Sequence, residues 1–244
     1  MLNILIPLGN ASKFFDGAAY PYPMPLIEIS GAPMIQHVID NFSKINEEKR
    51  FIFILREEDC ARYHLDSAIR LLAGESTIII KVQRETKGAV CSALLAIDLI
   101  ANDSSLIIAN GDQLFDFDIN DYIARFREDR VDAGCLCFES VHPRWSFVRL
   151  EGDKIVETAE KKPISKKAIA GFFYFSHGVY FVESAFRMIS KDASVNGQFF
   201  VSLVLNELVL DNRRLRAYTI PGESFHTFYS PKKIEEYEQK GFKS

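Results

Sequence analysis

The chain has 244 residues, enough to bury a substantial core in one large α/β unit or two small ones. Its charged fraction of 25% and hydrophobic fraction of 48% are ordinary for a folded soluble protein. A net charge of −4 without a long basic block argues against nucleic acid as the main partner, and no apolar run approaches the roughly 20 residues of a membrane span.

Met1-Leu2-Asn3-Ile4 has neither the basic start nor the small-residue cleavage site of a signal peptide, so the cytoplasm is the expected compartment. The first apolar run, Leu2–Pro7, predicts a strand. It empties into a polar stretch, Leu8–Pro25, before apolar residues resume at Pro25-Leu26-Ile27. Pro33 can open a helix at its first turn, with Met34, Ile35, Val38, Ile39 and Phe42 as its apolar stripe. Strands are expected at Arg50–Leu55, Thr77–Val82 and Leu106–Asn110, which are short, apolar and not alternating, as in strands covered on both faces. Helices are expected between them at about Glu58–Ala73 and Ala89–Ile100, the latter apolar almost all round and so buried. This alternation predicts an α/β fold with a Rossmann-like, mostly parallel sheet and helices on both faces.

The second half predicts antiparallel additions to that sheet at Ala133–Glu139, Ser146–Leu150, Lys154–Ala159 and Ala168–Phe175, with a turn at Gly152-Asp153. Helices at about Val179–Ile189 and Phe199–Leu210, a strand at Leu215–Ile220 and a charged helix at Pro231–Lys240 complete the chain. Asp118 is placed to cap a helix. Cys135 and Cys137 flank one residue of an apolar run, so on a strand they share a face as buried thiols; the four cysteines form no CxxC pair. No repeat or linker interrupts the chain, and one domain over 1–244 is expected. In open parallel sheets ligands sit beyond the C-terminal strand ends. The polar loops at 8–25, 83–88 and 110–118 all fall at such ends.

Those loops carry a resemblance. Ile6-Pro7-Leu8-Gly9-Asn10-Ala11-Ser12-Lys13, then Pro23-Met24-Pro25-Leu26-Ile27, then Gly31-Ala32-Pro33-Met34-Ile35 resemble the start of the sugar-1-phosphate nucleotidyltransferases, with their G-G-x-G-[TS]-R, P-K-P-L-[ILV] and G-[KR]-P-[ML]-[IL] pieces. Gln83 followed at Gly88-Ala89 is similar to the family's base-recognition loop. Asn110-Gly111-Asp112 is similar to its metal-bearing strand end. Glu160, Lys161 and Gly171 fall in register with E-K-P … G-[IL]-Y-x-[FY]. The resemblance covers nearly the whole chain, four weak pieces in the right order.

The resemblance implies that Leu8, Gly9, Asn10, Ala11 and Ser12 wrap a triphosphate through backbone N–H groups, and that Gln83 and Gly88 meet the base. It implies Mg²⁺ on Asp112, catalytic roles for Lys13, Asp112 and Lys161, and an acceptor bound by Glu160, Lys161 and Gly171. Residues 1–117 would form the nucleotide half and 118–244 the acceptor half. The implied reaction joins a nucleoside triphosphate to a phosphorylated sugar or alcohol and releases pyrophosphate, for surface-polysaccharide synthesis. No nucleic acid or membrane partner is implied, and a homo-oligomer is left open.

Three departures stand out. Lys13 replaces an arginine and loses its planar fork, Met24 replaces a lysine, and Thr227 stands where the family often has a second metal-binding aspartate, with Glu223 and His226 nearby. They leave room for another phosphorylated acceptor. Two further readings stay open: a glycosyltransferase on a related sheet, and a nucleotide sensor without turnover. The sequence does not fix the base or the acceptor.

Overall fold

In the computed structural model, which describes residues 1–11, 14–15 and 20–241, the chain starts with strand β1 (Leu2–Leu8). A small ribbon, β2 (Glu28–Ile29) and β3 (Ala32–Pro33), leads into helix α1 (Met34–Ser43). Then come β4 (Lys49–Arg56), α2 (Glu57–Tyr63), α3 (Leu65–Ala73), β5 (Ile78–Val82), α4 (Ala89–Leu94), α5 (Ile97–Ile100) and β6 (Ser105–Ala109). β1 pairs in parallel with β4 and β6, and β5 runs parallel to β4.

The second half adds β7 (Gln113–Phe115), α6 (Ile119–Glu128), β8 (Ala133–Glu139), β9 (Ser146–Glu151), β10 (Lys154–Glu160) and β11 (Lys167–Phe175). It ends with α7 (Gly178–Ser190), α8 (Val201–Leu210), β12 (Leu215–Thr219), β13 (Phe225–Thr227) and α9 (Pro231–Gly241). One sheet runs in the order β5-β4-β1-β6-β11-β8-β12-β10-β9, and β7 pairs with β13 apart from it. β11 is antiparallel to β6 and β8, and β10 is antiparallel to β9 and β12.

The non-alternating strands have the predicted cause. Ile4 and Ile6 of β1, with Phe51 and Phe53 of β4, face one core, where α1 and α6 supply Val38, Phe42, Ile123 and Phe126. Leu5, Ile52 and Ile54 face the other, where α4, α7 and α8 supply Val90, Phe181 and Leu205. Apolar layers on both sides need apolar residues at successive positions. Cys135 and Cys137 lie together in the second core.

Several expectations need correction. The helix expected over Glu58–Ala73 is two helices, because His64 adopts a left-handed conformation (φ 54°) between them. The helix expected over Ala89–Ile100 breaks at Leu95-Ala96, whose N–H groups bond three residues back to Ser92 and Ala93. It is not buried all round, since Leu95 is exposed. Pro33 sits one residue ahead of α1 rather than in its first turn. The sheet is parallel only over β5-β4-β1-β6 and again at β8–β12, a parallel pair not expected among the antiparallel additions. Asp118 does cap α6, accepting from the Asn120 N–H at 2.9 Å. No described helix is long and apolar enough to cross a membrane.

Candidate active site

The loops after β1 and β5 are latched together. The Asn10 side-chain oxygen accepts from the Thr86 backbone N–H at 3.1 Å, and its amide nitrogen donates back to the Thr86 carbonyl at 3.4 Å. The Ala11 N–H donates to a Glu85 carboxylate oxygen at 3.0 Å. Gly9 is buried at this seam, where a Cβ would come within 3.2 Å of Val82. Gly88 (φ 103°) opens α4, and a Cβ there would sit 2.5 Å from the Phe199 carbonyl oxygen. Packing against Phe199 thus already requires a glycine at 88. Gln83 is exposed. Ser12 and Lys13 lie outside the described residues.

A cavity of about 490 Å³ borders the opening loop at Leu8, Asn10 and Ala11 and reaches Met24, Arg56 and Arg62. Sequence reasoning missed both arginines, which lie far from the loop in sequence. Arg56 is partly engaged by Glu58 at 2.5 Å and Asp59 at 3.4 Å. Gln83 and Gly88 do not line this cavity.

A second cavity, of about 300 Å³, brings together Asp112, Glu160 and Gly171 from three separate segments. Ala89, beside Gly88, also lines it. Asp112 follows the end of β6 across Gly111, where a Cβ would meet Leu8 Cδ2 at 2.5 Å, so the end of β1 packs directly on the Asp112 turn. Burial raises the Asp112 carboxyl to about 6, opposed by its own backbone N–H and by the Arg144 charge. Glu160 accepts from the hydroxyls of Ser146 and of Ser202, the latter at 3.0 Å. Burial raises its pKa, and the two hydroxyls and Lys161 oppose the rise. Lys161 adopts φ 55° at the end of β10. It does not line the cavity, but its ammonium lies 4.9 Å from the centre of the Phe200 ring, which does.

Arg144 is another cation that the sequence did not single out. It lines this cavity, with its guanidinium carbon 3.1 Å from the centre of the Tyr229 ring. Its only signal was a basic residue beside the single tryptophan, in a turn between strands. Gly171 (φ 61°) sits where β11 slips register against β8 between Ile169 and Phe173. A Cβ there would lie within 2.5 Å of Asn110 Nδ2 and closer still to Gln113 Oε1. Thr227 joins the cavity through β13, directly opposite Gln113 of β7.

As for a metal, no cluster of three or more His, Cys, Asp or Glu side chains that could hold one occurs among the described residues. Asp112 and Glu160 both bring carboxylates to this cavity; Glu160 is committed to the Ser146 and Ser202 hydroxyls, and burial is the main cause of the raised Asp112 pKa. A hard dication that keeps most of its waters and bridges phosphates fits the single carboxylate left to it, that of Asp112.

The nucleotidyl transferase family model matches residues 19–221. A UTP–glucose-1-phosphate uridylyltransferase of Haloferax volcanii is 27% identical over 224 residues, covering 89% of this chain and 87% of that protein. Among solved structures, a nucleoside-diphosphate-sugar pyrophosphorylase from Vibrio cholerae superposes with a TM-score of 0.84 at 21% identity, covering 97% of this chain and 99% of that one. A UDP-glucose pyrophosphorylase solved with UDP-glucose gives 0.78 at 17% identity, over 99% and 98% of the two chains.

Proposed function

Since the chain belongs to the nucleotidyl transferase family, we propose that its two cavities hold the two substrates of one transfer, a nucleoside triphosphate at the opening loop and a phosphorylated sugar at Asp112, Glu160 and Gly171. The enzyme is a sugar-phosphate nucleotidyltransferase. An oxygen of the acceptor phosphate attacks the α-phosphorus, the bond from that phosphorus to the bridging oxygen breaks, and pyrophosphate leaves with the electron pair. No protein nucleophile is required, so positioning and electrostatics supply the acceleration.

The observation that carries this reading is the convergence of Asp112, Glu160 and Gly171 on one cavity whose wall packs against the end of β1, where the opening loop begins. Asp112 would hold Mg²⁺, which when bound neutralises charge on the phosphates. Arg144 and Lys161 supply positive charge at the acceptor side, while Arg56 and Arg62 line the cavity that Met24 borders. Glu160, fixed by two serine hydroxyls, accepts from the acceptor. The loop at 83–88 faces the base, and Lys13 and Ser12 would complete the phosphate wrap. In this reading 1–117 is the nucleotide half and 118–244 the acceptor half of one domain, working in the cytoplasm where triphosphates are made.

The test is a matrix of the common nucleoside triphosphates against phosphorylated sugars and alcohols, with Mg²⁺, read as pyrophosphate. UTP with glucose 1-phosphate, the pair named for the Haloferax relative, is the first to assay. Pyrophosphate release from one pair, lost in Asp112→Ala, is the expected result. Turnover of no pair, or full activity in that variant, overturns the reading.

A further inference from the structure

Arg144 is held in place by rings rather than by an acid. Its guanidinium carbon lies 3.1 Å from the centre of the Tyr229 ring and 5.1 Å from that of Trp145, and those two rings meet edge to face at 6.3 Å. No salt bridge among the described residues involves Arg144. A ring face orients a guanidinium without neutralising it, whereas a carboxylate partner would cancel its charge. Arg144, Trp145 and Tyr229 all line the cavity of Asp112 and Gly171. The aromatic seat therefore presents a full positive charge, already oriented, to an anion in that cavity.

Tyr229 has a further neighbour. Phe14 of the opening loop packs edge-on against it, with ring centres 5.8 Å apart. A second contact runs beside the first. Phe15 is buried in a third core with Phe228, together with Ile27, Ile29, Met34 and Ile234. Two successive residues of the opening loop thus grip the two successive residues after β13. The Phe228 N–H also donates to the Asp112 carbonyl at 2.8 Å, which ties the same segment to the Asp112 turn. Phe15 and Phe228 are sealed and supply the anchoring, while Phe14 is 58% exposed. What the Phe14 ring adds is contact with the side chain that seats Arg144.

We infer that Tyr229 is a positioning residue shared by the two substrate cavities: it sets Arg144 for the phosphate of the acceptor, and the opening loop, through Phe14, sets Tyr229. A nucleotide that holds the opening loop thereby tightens binding of the phosphorylated acceptor. By linkage the acceptor tightens binding of the nucleotide to the same extent. This rests on the proposed reading that the opening loop holds the nucleotide and the second cavity the acceptor. One aromatic pair sets the scale of the coupling, about 2–10-fold in affinity.

The test compares full-length wild type, Phe14→Ala, Tyr229→Leu, Tyr229→Phe and the Phe14→Ala/Tyr229→Leu double variant. Glucose 1-phosphate is titrated calorimetrically, with and without Mg²⁺ and a UTP analogue that cannot be cleaved at the α-phosphorus. Nucleotide should tighten glucose 1-phosphate binding by wild type. Phe14→Ala should lose about 2–10-fold of that enhancement with Tm barely changed. Tyr229→Leu should weaken binding about 3–30-fold, and Tyr229→Phe, which keeps the ring, should match wild type. In the double variant the loss of Phe14 should add nothing to the loss of Tyr229, because one acts through the other. A merely structural tyrosine would lower Tm in Tyr229→Leu and leave the affinity intact. No enhancement in wild type, full enhancement in Phe14→Ala, or additive losses in the double variant overturn the inference. If Tyr229→Leu does not fold, Phe14→Ala decides alone. Turnover of no nucleotide–sugar pair by wild type fails the reading of the activity. In that case, or if glucose 1-phosphate does not bind, the coupling is judged by the emission of Trp145, the single tryptophan, which adjoins Arg144 and Tyr229. A change on adding UTP with Mg²⁺ that Phe14→Ala abolishes supports it; no change, or the same change in the variant, overturns it.

Discussion

Burial holds the Asp112 carboxyl at about 6, against 3.8 for an ordinary aspartate. Between these values the folded chain binds the proton more tightly than the unfolded chain. Stability from this group is therefore present below about pH 4 and falls as pH rises through about 6. Asp112→Asn removes the penalty. We expect the metal-free variant to be more stable than wild type at about pH 7, by about 1–3 kcal/mol, with the difference gone near pH 4. Pyrophosphate release should fall at least about 100-fold. Chemical denaturation of both proteins at the two pH values checks the first part; a variant that is never more stable refutes it. Gly171→Ala should cost about 1–3 kcal/mol from backbone strain alone, since φ is 61°. It should also displace Gln113, so that KM for the sugar phosphate rises more than KM for the nucleotide. Some of this was legible in sequence. Asp112, Glu160 and Gly171 carry recognisable spacings. Gln113 does not, because nothing along the chain announces that its amide oxygen will be buried without a partner. Arg144 became visible only when folding set it over Tyr229.

At the scale of elements, β7 depends on α1. The buried Asn41 side chain donates to the Phe115 carbonyl at 2.8 Å and accepts from the Phe115 N–H at 3.0 Å. Asn41→Ala leaves both backbone groups unbonded and should destabilise by about 2–4 kcal/mol, measurable by urea unfolding. The latch between the opening loop and residues 83–88 predicts a different profile. Its bonds are partly exposed, so Asn10→Ala should barely change Tm but raise the KM for the nucleotide several-fold. An unchanged KM would show that the loops hold their positions without Asn10. Strands β1, β4 and β6 were readable because both their faces are covered, which leaves an apolar run, whereas the edge strand β5 is only partly buried and carries Lys81. β7 and β13 were not readable, being three residues each and held by pairing between positions over a hundred residues apart. The break at His64 was hidden because the apolar stripe resumes at Leu65 as if the helix continued.

Across the whole molecule the sheet separates two cores, with α1, α3 and α6 on one face and α4, α7 and α8 on the other. That layering followed from composition along the strands. The change of direction at β6–β11 did not, since it depends on which edge the second half joins. The site spans this change, with Asp112 beyond β6 and Gly171 within β11. Ligands should therefore tie the halves together. Nucleotide with Mg²⁺ at about 100 times its Kd should stabilise by about 2.7 kcal/mol, a Tm rise of about 5–10 °C for a chain this long. Chelation with EDTA should remove most of it. A rise that survives chelation would mean that the nucleotide binds without the metal.

The pairing of β7 with β13 has a consequence for recombination. A chimera that joins residues 1–117 of one relative to the remainder of another looks natural, because the proposed nucleotide half ends there. It would also divide a two-stranded ribbon between two parents and mismatch Gln113 with whatever faces it at 227. Crossovers placed ahead of β6 would carry 105–117 with the C-terminal segment and inherit the ribbon whole. In shuffled libraries the surviving junctions should cluster there.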